Sequence, residues 1–289
     1  MEIKRAKHMG FCFGVVRVLK LAREAIEQAR GKAVYSLGPL IHNWEALKYE
    51  NLNLPVVEDL SNVPDGSTLV VRAHGLSPTL MEEAAGKHLA IVDGTCPLVT
   101  KVQKLARGLK DEGYQVVIVG KQIHPEIIGV MGHLDGDGTV VERPEEVPSI
   151  SLMKRMGIVT QTTTIFSKFQ EMTGALLSKA KEWKIHNTIC FETVDRQVAT
   201  QEVARETGCV VVVGGKHSAN TRHLAEICKM EGAEVYHVED AKELIPEWFS
   251  GMEKVGIAAG ASTHPQSIKE VEDTLRSFRE LTLSPRASS

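Results

Sequence analysis

The sequence lacks a long apolar run, a basic block and an N-terminal signal core. Its apolar runs, such as Val210–Val213, are far shorter than the roughly 20 residues that cross a bilayer. We therefore expect a cytoplasmic protein without a membrane partner. The 34 lysines and arginines are outnumbered by 37 acidic residues and form no concentrated patch along the chain. Since phosphate backbones are bound by clustered cations, we expect no nucleic-acid partner.

Cysteine is scarce as well, with five residues spread over a chain of 289. An odd, scattered set without a secretory signal excludes a disulfide framework. The close C-x2-C pairs of structural zinc sites are missing, and so are the closely spaced cysteines of ferredoxins. The cysteines are therefore expected to be free thiols or ligands of another kind of metal centre.

Short strand-like runs alternate with amphipathic helical segments along the whole chain. This alternation is typical of an α/β fold with parallel sheets. The predicted strands are 33–37, 67–72, 89–92, 115–119, 157–160, 210–213 and 255–258, and the predicted helices are 15–29, 99–111, 166–183, 194–206, 221–230 and 265–280. Residues 284–289 are mostly small and polar, and we expect a frayed tail over 282–289.

An internal repeat is the most informative feature of the sequence. Cys12, Cys96 and Cys190 each precede a predicted helix, and each is followed by a strand that ends in glycine and a polar cluster. A later strand in each repeat ends in a second polar turn. The repeat predicts three pseudo-threefold-related α/β units with boundaries at 14–96, 97–187 and 188–281, the last joined by 1–13. Ligands bind at the carboxyl ends of parallel strands, so three such units around one axis predict a shared central cavity.

Three remote thiolates without a fourth suit an iron–sulfur cluster that keeps one iron open for substrate. A single cysteine is more often a buried packing residue, and the threefold recurrence is what favours a ligand set. Cys209 and Cys228 lie outside the repeat and are predicted to be buried structural thiols.

The polar turns supply neutral donors that can hold a diphosphate without a Walker loop. Gly214-Gly215-Lys216 fails the Walker pattern, because the first glycine and the final hydroxyl are missing. Glu126 is the acidic residue tied to one of these clusters. It is either a proton donor with a raised pKa or a first-turn helix residue that stabilises the helix dipole, and the pattern favours neither. The neutral donors of the polar turns, which are the candidates for holding a diphosphate, are His42, His74, His124, Thr162, Ser218, Asn220 and Ser262.

These segments resemble the LytB-type 4-hydroxy-3-methylbut-2-enyl diphosphate reductases, and the resemblance covers nearly the whole chain. The matching motifs are G-F-C-F-G-V at 10–15, G-P-L-I-H-N at 38–43, R-A-H-G at 72–75, D-G-T-C-P at 93–97, H-P-E at 124–126, Q-T-T at 161–163, T-I-C-F-E-T-V-D-R-Q at 188–197, G-G-K-H-S-A-N-T at 214–221 and A-G-A-S at 259–262.

The resemblance implies a trefoil of three α/β units around a [4Fe-4S] cluster held by Cys12, Cys96 and Cys190. It implies Glu126 as proton donor and Thr162 as a residue that orients the substrate hydroxyl. The implied reaction is the reductive dehydroxylation of an allylic diphosphate to isopentenyl and dimethylallyl diphosphates, the last step of the methylerythritol phosphate route. A ferredoxin or flavodoxin is the implied electron donor. The implied diphosphate-binding residues are His42, His74, His124, Thr162, Ser218, Asn220 and Ser262.

Two segments depart from the family pattern. The family usually has Asn-Ser-Ser-Asn or Asn-Ser-Gly-Asn where this chain has His217-Ser218-Ala219-Asn220, which removes a possible phosphate-binding hydroxyl. It usually has Cys-Asn-Ala-Thr or similar where this chain has Cys190-Phe191-Glu192-Thr193, which adds a carboxylate next to an implied ligand. Two alternatives share the three remote cysteines: another threefold iron–sulfur enzyme such as a quinolinate synthase, and a non-catalytic cluster protein that carries electrons or senses oxygen. Neither alternative requires an acid such as Glu126 or a set of anion-binding donors.

Overall fold

A computed structural model of the chain describes residues 1–41, 43–52 and 54–283. The strands are β1 (Glu2–Arg5), β2 (Val34–Leu37), β3 (Val56–Val57), β4 (Thr68–Val71), β5 (Ala90–Asp93), β6 (Gln115–Val119), β7 (Gly138–Val141), β8 (Met153–Thr160), β9 (Ala180–Ile185), β10 (Cys209–Val213), β11 (Glu234–Val238) and β12 (Lys254–Ala259). The α-helices are α1 (Phe13–Gln28), α2 (Trp44–Tyr49), α3 (Pro78–Gly86), α4 (Pro97–Asp111), α5 (Pro125–His133), α6 (Phe166–Leu176), α7 (Phe191–Thr207), α8 (Ala219–Met230) and α9 (Pro265–Leu283).

The strands form three four-stranded sheets with one common topology. Sheet 1 has the order β3-β2-β4-β5, sheet 2 the order β7-β6-β8-β9, and sheet 3 the order β11-β10-β12-β1. All neighbouring strands pair in parallel. In sheet 3 the N-terminal strand β1 takes the place of the fourth strand, with Ile3 opposite Val255. The predicted α/β class with parallel sheets is therefore confirmed.

The chain divides into two units. One comprises Met1–Cys12, the short segment around α2 and the described chain from Phe191 onward, and it contains sheet 3. Strand β10 is buried on both of its faces. Val211 packs with Ile257 and Val271 on one side, and Val212 packs with Leu224 and Ala258 on the other.

The other unit comprises Phe13–Ile41 and the described residues from Leu52 to Cys190, and it contains sheets 1 and 2. Sheet 2 is covered on one face by α6, through Phe169 and Met172, and on the other by α4 and α5, through Leu109 and Ile127. A smaller cluster that includes Leu69, Leu76 and Ala84 lies at sheet 1.

One predicted helix is wrong at its C-terminal end. The pattern predicted a helix over 166–183, but α6 ends at Leu176 and the chain continues into β9. Strand β9 pairs with β8, with Trp183 opposite Met156. The side chains of β9 are mostly exposed, as is usual at a sheet edge, so their sequence carries little of the alternation that identifies a strand.

The predicted boundaries of the three units, at 14–96, 97–187 and 188–281 with 1–13, stay a prediction. Residues 284–289, most of the predicted frayed tail, lie outside the described residues. Within the described ranges, no helix combines the length and apolar character that a membrane crossing requires.

Candidate active site

The three repeated cysteines share one local setting. Helices α1, α4 and α7 begin at the residue that directly follows each of them. Each cysteine N–H also donates to a carbonyl two residues beyond the third strand of its sheet. These bonds run from Cys12 to Ala261 at 3.0 Å, from Cys96 to Ala73 at 2.9 Å and from Cys190 to Thr162 at 2.9 Å. The expectation that each cysteine precedes a helix is therefore confirmed.

The chemistry of these thiols fits a metal centre. Cys12, Cys96 and Cys190 are partly exposed, and the positive end of a helix dipole stabilises a thiolate. Cys209 and Cys228 are buried, and burial raises the pKa of each to about 12, so both remain protonated structural thiols. Within residues 1–41, 43–52 and 54–283, no three His, Cys, Asp or Glu side chains form a ready-made metal-binding group.

Glu126 is a buried carboxyl near the start of α5. Its side chain is 1% exposed, and Thr162 donates to both oxygens, from its N–H to Oε1 and from its Oγ1 to Oε2, each at 2.7 Å. Burial raises the pKa of Glu126 to about 7 although both bonds from Thr162 lower it. A carboxyl that titrates near neutral pH can deliver a proton. The role of Glu126 as a proton donor stays a prediction.

His124 and His74 extend this arrangement. His124 caps α5, with Nδ1 accepting the N–H of Glu126 at 3.2 Å. The rings of His74 and His124 meet edge to face, with centroids 5.4 Å apart. His74 directly follows Ala73, the acceptor for Cys96. A chain of contacts therefore runs from Cys96 past both histidines, through Glu126 and Thr162, to Cys190.

The unit that contains sheet 3 holds the other predicted donors. Ser218 caps α8 and accepts the N–H of Thr221 at 3.4 Å. Asn220 and Ser262 are 5% and 7% exposed, and neither side chain has a hydrogen-bond partner among the described residues. Buried polar groups are normally satisfied. Unsatisfied ones in a predicted donor set are therefore what a site for an anion requires.

Two glycines without room for a side chain position these donors. A Cβ on Gly260 would lie 2.1 Å from Oγ1 of Thr221, and one on Gly214 would lie 2.4 Å from Oγ1 of Thr263. Gly260 therefore lets the first turn of α8, which carries Asn220, pack against the end of β12, and Gly214 lets the turn after β12, which carries Ser262, pack against the end of β10. The predicted donor His42 lies outside the described residues.

The sequence reasoning assigned no role to Arg196, although it lies in one of the motifs. Its guanidinium is 3% exposed. Nη1 donates to the Glu192 carboxylate at 2.7 Å and to the Glu192 carbonyl at 3.0 Å, and Nη2 donates to the Gly10 carbonyl at 2.8 Å. Glu192, the carboxylate that departs from the family pattern, is thus the counter-ion of a buried arginine that holds the loop before Cys12. An acid four residues before an arginine on a helix is the signal that was available.

The other departure, in the segment 217–220, lies at the start of α8. Ala219 is the first residue of α8 and is 5% exposed. His217, two residues earlier, is exposed.

Comparisons with known proteins agree with these motifs. The sequence model of the family described as LytB protein matches residues 3–276. The protein named 4-hydroxy-3-methylbut-2-enyl diphosphate reductase from Anaeromyxobacter sp. (strain Fw109-5) is 44% identical over 277 residues, which are 96% of this chain and 97% of that protein. The protein of the same name from Aquifex aeolicus (strain VF5) is 41% identical over 284 residues, which are 97% of this chain and 98% of that protein.

Two solved structures are also similar. One, described as (E)-4-hydroxy-3-methyl-but-2-enyl diphosphate reductase, the terminal enzyme of the non-mevalonate pathway, is 40% identical with a TM-score of 0.69, covering 96% of this chain and all of that one. The E-1-hydroxy-2-methyl-but-2-enyl-4-diphosphate reductase from Plasmodium falciparum is 26% identical with a TM-score of 0.87, covering 99% of this chain and 89% of that one. The chain therefore belongs to the LytB family of 4-hydroxy-3-methylbut-2-enyl diphosphate reductases.

Proposed function

We propose that this chain reduces 4-hydroxy-3-methylbut-2-enyl diphosphate to isopentenyl and dimethylallyl diphosphates, the last step of the methylerythritol phosphate route to isoprenoids. The reaction consumes two electrons and two protons. The allylic C–O bond breaks, the hydroxyl leaves as water with one proton, and the other proton ends on carbon. A reduced ferredoxin or flavodoxin is the proposed source of the electrons. The observation that carries the proposal is the buried Glu126 carboxyl with a pKa of about 7, hydrogen-bonded to Thr162.

We assign Cys12, Cys96 and Cys190 as the ligands of a [4Fe-4S] cluster. Support comes from the local setting that the three cysteines share, and from the burial of the other two thiols. When bound, the cluster supplies electrons to the substrate. The chain would contribute three thiolates at helix N-termini, each on a loop held by a main-chain hydrogen bond.

The diphosphate would be held by neutral donors. Asn220 and Ser262 have side-chain donors without protein partners, and the hydroxyl of Ser218 can donate while its oxygen caps α8. His74 and His124 are the proposed imidazole donors. His42 completes the proposed set. Because these donors are uncharged or weakly basic, their affinity depends on geometry rather than on net charge.

Glu126 would donate the proton to the leaving hydroxyl. Near pH 7 both protonation states of the carboxyl are populated, so it can lose and regain a proton in each cycle. Thr162 positions the carboxyl through two hydrogen bonds. Those bonds stabilise the ionised form, so they set the pKa below the value that burial alone would give.

The test is anaerobic turnover of the allylic diphosphate with dithionite across the pH range. We expect kcat to fall as the pH rises through about 7, because the acid form of Glu126 is lost. Glu126→Gln keeps the shape but cannot release a proton at a useful rate, and we expect it to lose roughly 10² to 10⁴-fold in kcat while it still binds the diphosphate. Thr162→Val removes the hydroxyl bond that lowers the pKa, so its falling limb should move to higher pH.

Glu83→Gln, a change at an exposed position of α3, is the matched control and should leave the profile unchanged. If Glu126→Gln turned over within a few-fold of wild type, the proton would come from another group. A wild-type protein that neither binds nor reduces the diphosphate would overturn the reductase assignment itself.

A further inference from the structure

A cationic groove flanks one of the assigned cluster ligands. The groove encloses about 520 Å³, and Thr95 and Pro97, the neighbours of Cys96, are part of its wall. Its cations are Arg17 from α1 and Lys101 and Lys104 from α4. The chain as a whole has a net charge of −3. The local charge of the groove beside Cys96 is thus positive, whereas the net charge of the chain is negative.

The charges of the groove are available to a partner. Lys101 and Lys104 are exposed, and neither has an ion pair with any residue that the structure describes. Arg17 is held in place through its hydrogen bonds to the carbonyls of Thr95 at 3.1 Å and Asp93 at 3.2 Å. Among the residues that the structure describes, the Asp93 carboxylate is the one acidic group lining the groove, and it accepts the N–H and the hydroxyl of Thr95. Three cations therefore face a single carboxylate that is already hydrogen-bonded.

Apolar side chains accompany the charges on α1. Phe13 and Val16 are 42% and 52% exposed. With Arg17 and Lys20 they have the i, i+3, i+4 and i+7 spacing that places side chains on one face of a helix. Exposed apolar groups beside charges of one sign are the usual composition of a protein docking surface. Steering by charge suits partners that must associate and separate quickly.

The proposed reaction requires such a partner. Each turnover consumes two electrons that neither the diphosphate nor the side chains of this chain supply. We infer that the groove formed by Arg17, Lys101 and Lys104, together with the apolar face of α1, docks an acidic one-electron carrier protein beside Cys96. For each substrate molecule, two reduced carriers bind in turn, and each gives up one electron. This inference rests on the proposed function and identifies the kind of carrier by its charge.

The experiment compares two reductants on the same anaerobically prepared holoenzyme. One is an acidic ferredoxin reduced photochemically, and the other is dithionite, which needs no docking surface. We expect Lys101→Glu/Lys104→Glu to raise the KM for the ferredoxin about tenfold or more at low salt, with kcat on dithionite and the KM for the diphosphate unchanged. For the wild type, added salt should raise the KM for the ferredoxin because it screens the attraction.

Lys154→Glu/Lys181→Glu makes the same change in net charge on exposed positions of β8 and β9. This control should keep the wild-type KM for the ferredoxin. Equal effects of the two double variants, or no effect of Lys101→Glu/Lys104→Glu, would overturn the docking site. Failure of the wild type with both reductants would instead contradict the proposed function, so the two failures are distinguishable.

Discussion

At the scale of single residues, the chemistry of Glu126 follows from burial rather than from residue type. The sequence placed this carboxylate near a helix start, where a dipole-stabilising residue and an acid look alike. A first-turn residue that serves only the helix dipole is normally exposed, whereas Glu126 is 1% exposed, and this burial supports its proposed role as a proton donor. Its pKa of about 7 depends on that burial and on Thr162, which is 36 residues away in sequence. Neither could be read from the motif.

Arg196 is a second residue whose surroundings could not be predicted from its motif. Its motif was visible and Glu192 is only four residues away, but its other hydrogen-bond partner, Gly10, is 186 residues away in sequence. Because Gly10 precedes Cys12 by two residues, Arg196 restrains the loop that carries this thiol. Glu192→Ala leaves the guanidinium buried with its carbonyl partners alone. We expect a loss of about 1–2 kcal/mol in the free energy of unfolding, since Glu192 is partly exposed and the arginine keeps two bonds.

The loop itself can be followed by alkylation of the cluster-free protein with iodoacetamide and mass spectrometry. We expect Cys12 in Glu192→Ala to react several-fold faster than in wild type, while Cys96, in the other unit, keeps its rate. Glu202 lies on the same helix as Glu192 and forms a surface ion pair with Lys7. Glu202→Ala removes this ion pair and should change neither alkylation rate. If Cys12 and Cys96 accelerated together, the effect would be general loosening and not a restraint on the Cys12 loop.

At the scale of helices and strands, the sequence predicted the buried strands and the long amphipathic helices. Strand β10 is buried throughout and reads as a continuous apolar run. Long helices such as α1 and α4 also matched their predicted ranges closely. The misassigned segment, β9, lies at a sheet edge, and its structure depends on pairing with β8. Edge strands are therefore the part of this fold that local sequence specifies least.

The packing of α8 on the end of β12 gives a prediction at this scale. Gly260→Ala would place a methyl group 2.1 Å from Oγ1 of Thr221, so we expect a loss of about 1–3 kcal/mol in the free energy of unfolding. Thr221→Ala removes that oxygen, and the double variant should recover part of the loss. Urea unfolding measures both effects, and the KM for the diphosphate should rise because Asn220 and Ser262 flank this contact.

Gly174→Ala is the control for that prediction. Gly174 lies within α6, and nothing is within 4 Å of a Cβ built there, so alanine should be neutral or slightly stabilising. Equal stability of Gly260→Ala and Gly174→Ala would show that α8 moves away from β12 at no cost.

At the scale of the whole molecule, the repeat is most apparent in the topology. Each sheet has the order second-first-third-fourth, and each repeated cysteine follows the fourth strand of its sheet. The sequence predicted the threefold repeat, because the cysteines and their polar clusters recur in order, but not the strand order. It could not predict the bond from each cysteine N–H to the carbonyl beyond the third strand, since that bond joins segments whose separation differs among the three repeats.

The shared setting of the cysteines leads to the prediction that separates ligands from structural thiols. Alanine at Cys12, Cys96 or Cys190 should each abolish the visible charge-transfer absorption of the anaerobically reconstituted protein, because each removes one of three thiolates. Cys209→Ala and Cys228→Ala should keep that absorption and the full iron content, since burial keeps both thiols protonated. The measurement is iron analysis beside the absorption spectrum for all five variants, with circular dichroism to verify folding. A full cluster in a folded Cys190→Ala protein would show that the three repeats do not supply one ligand each.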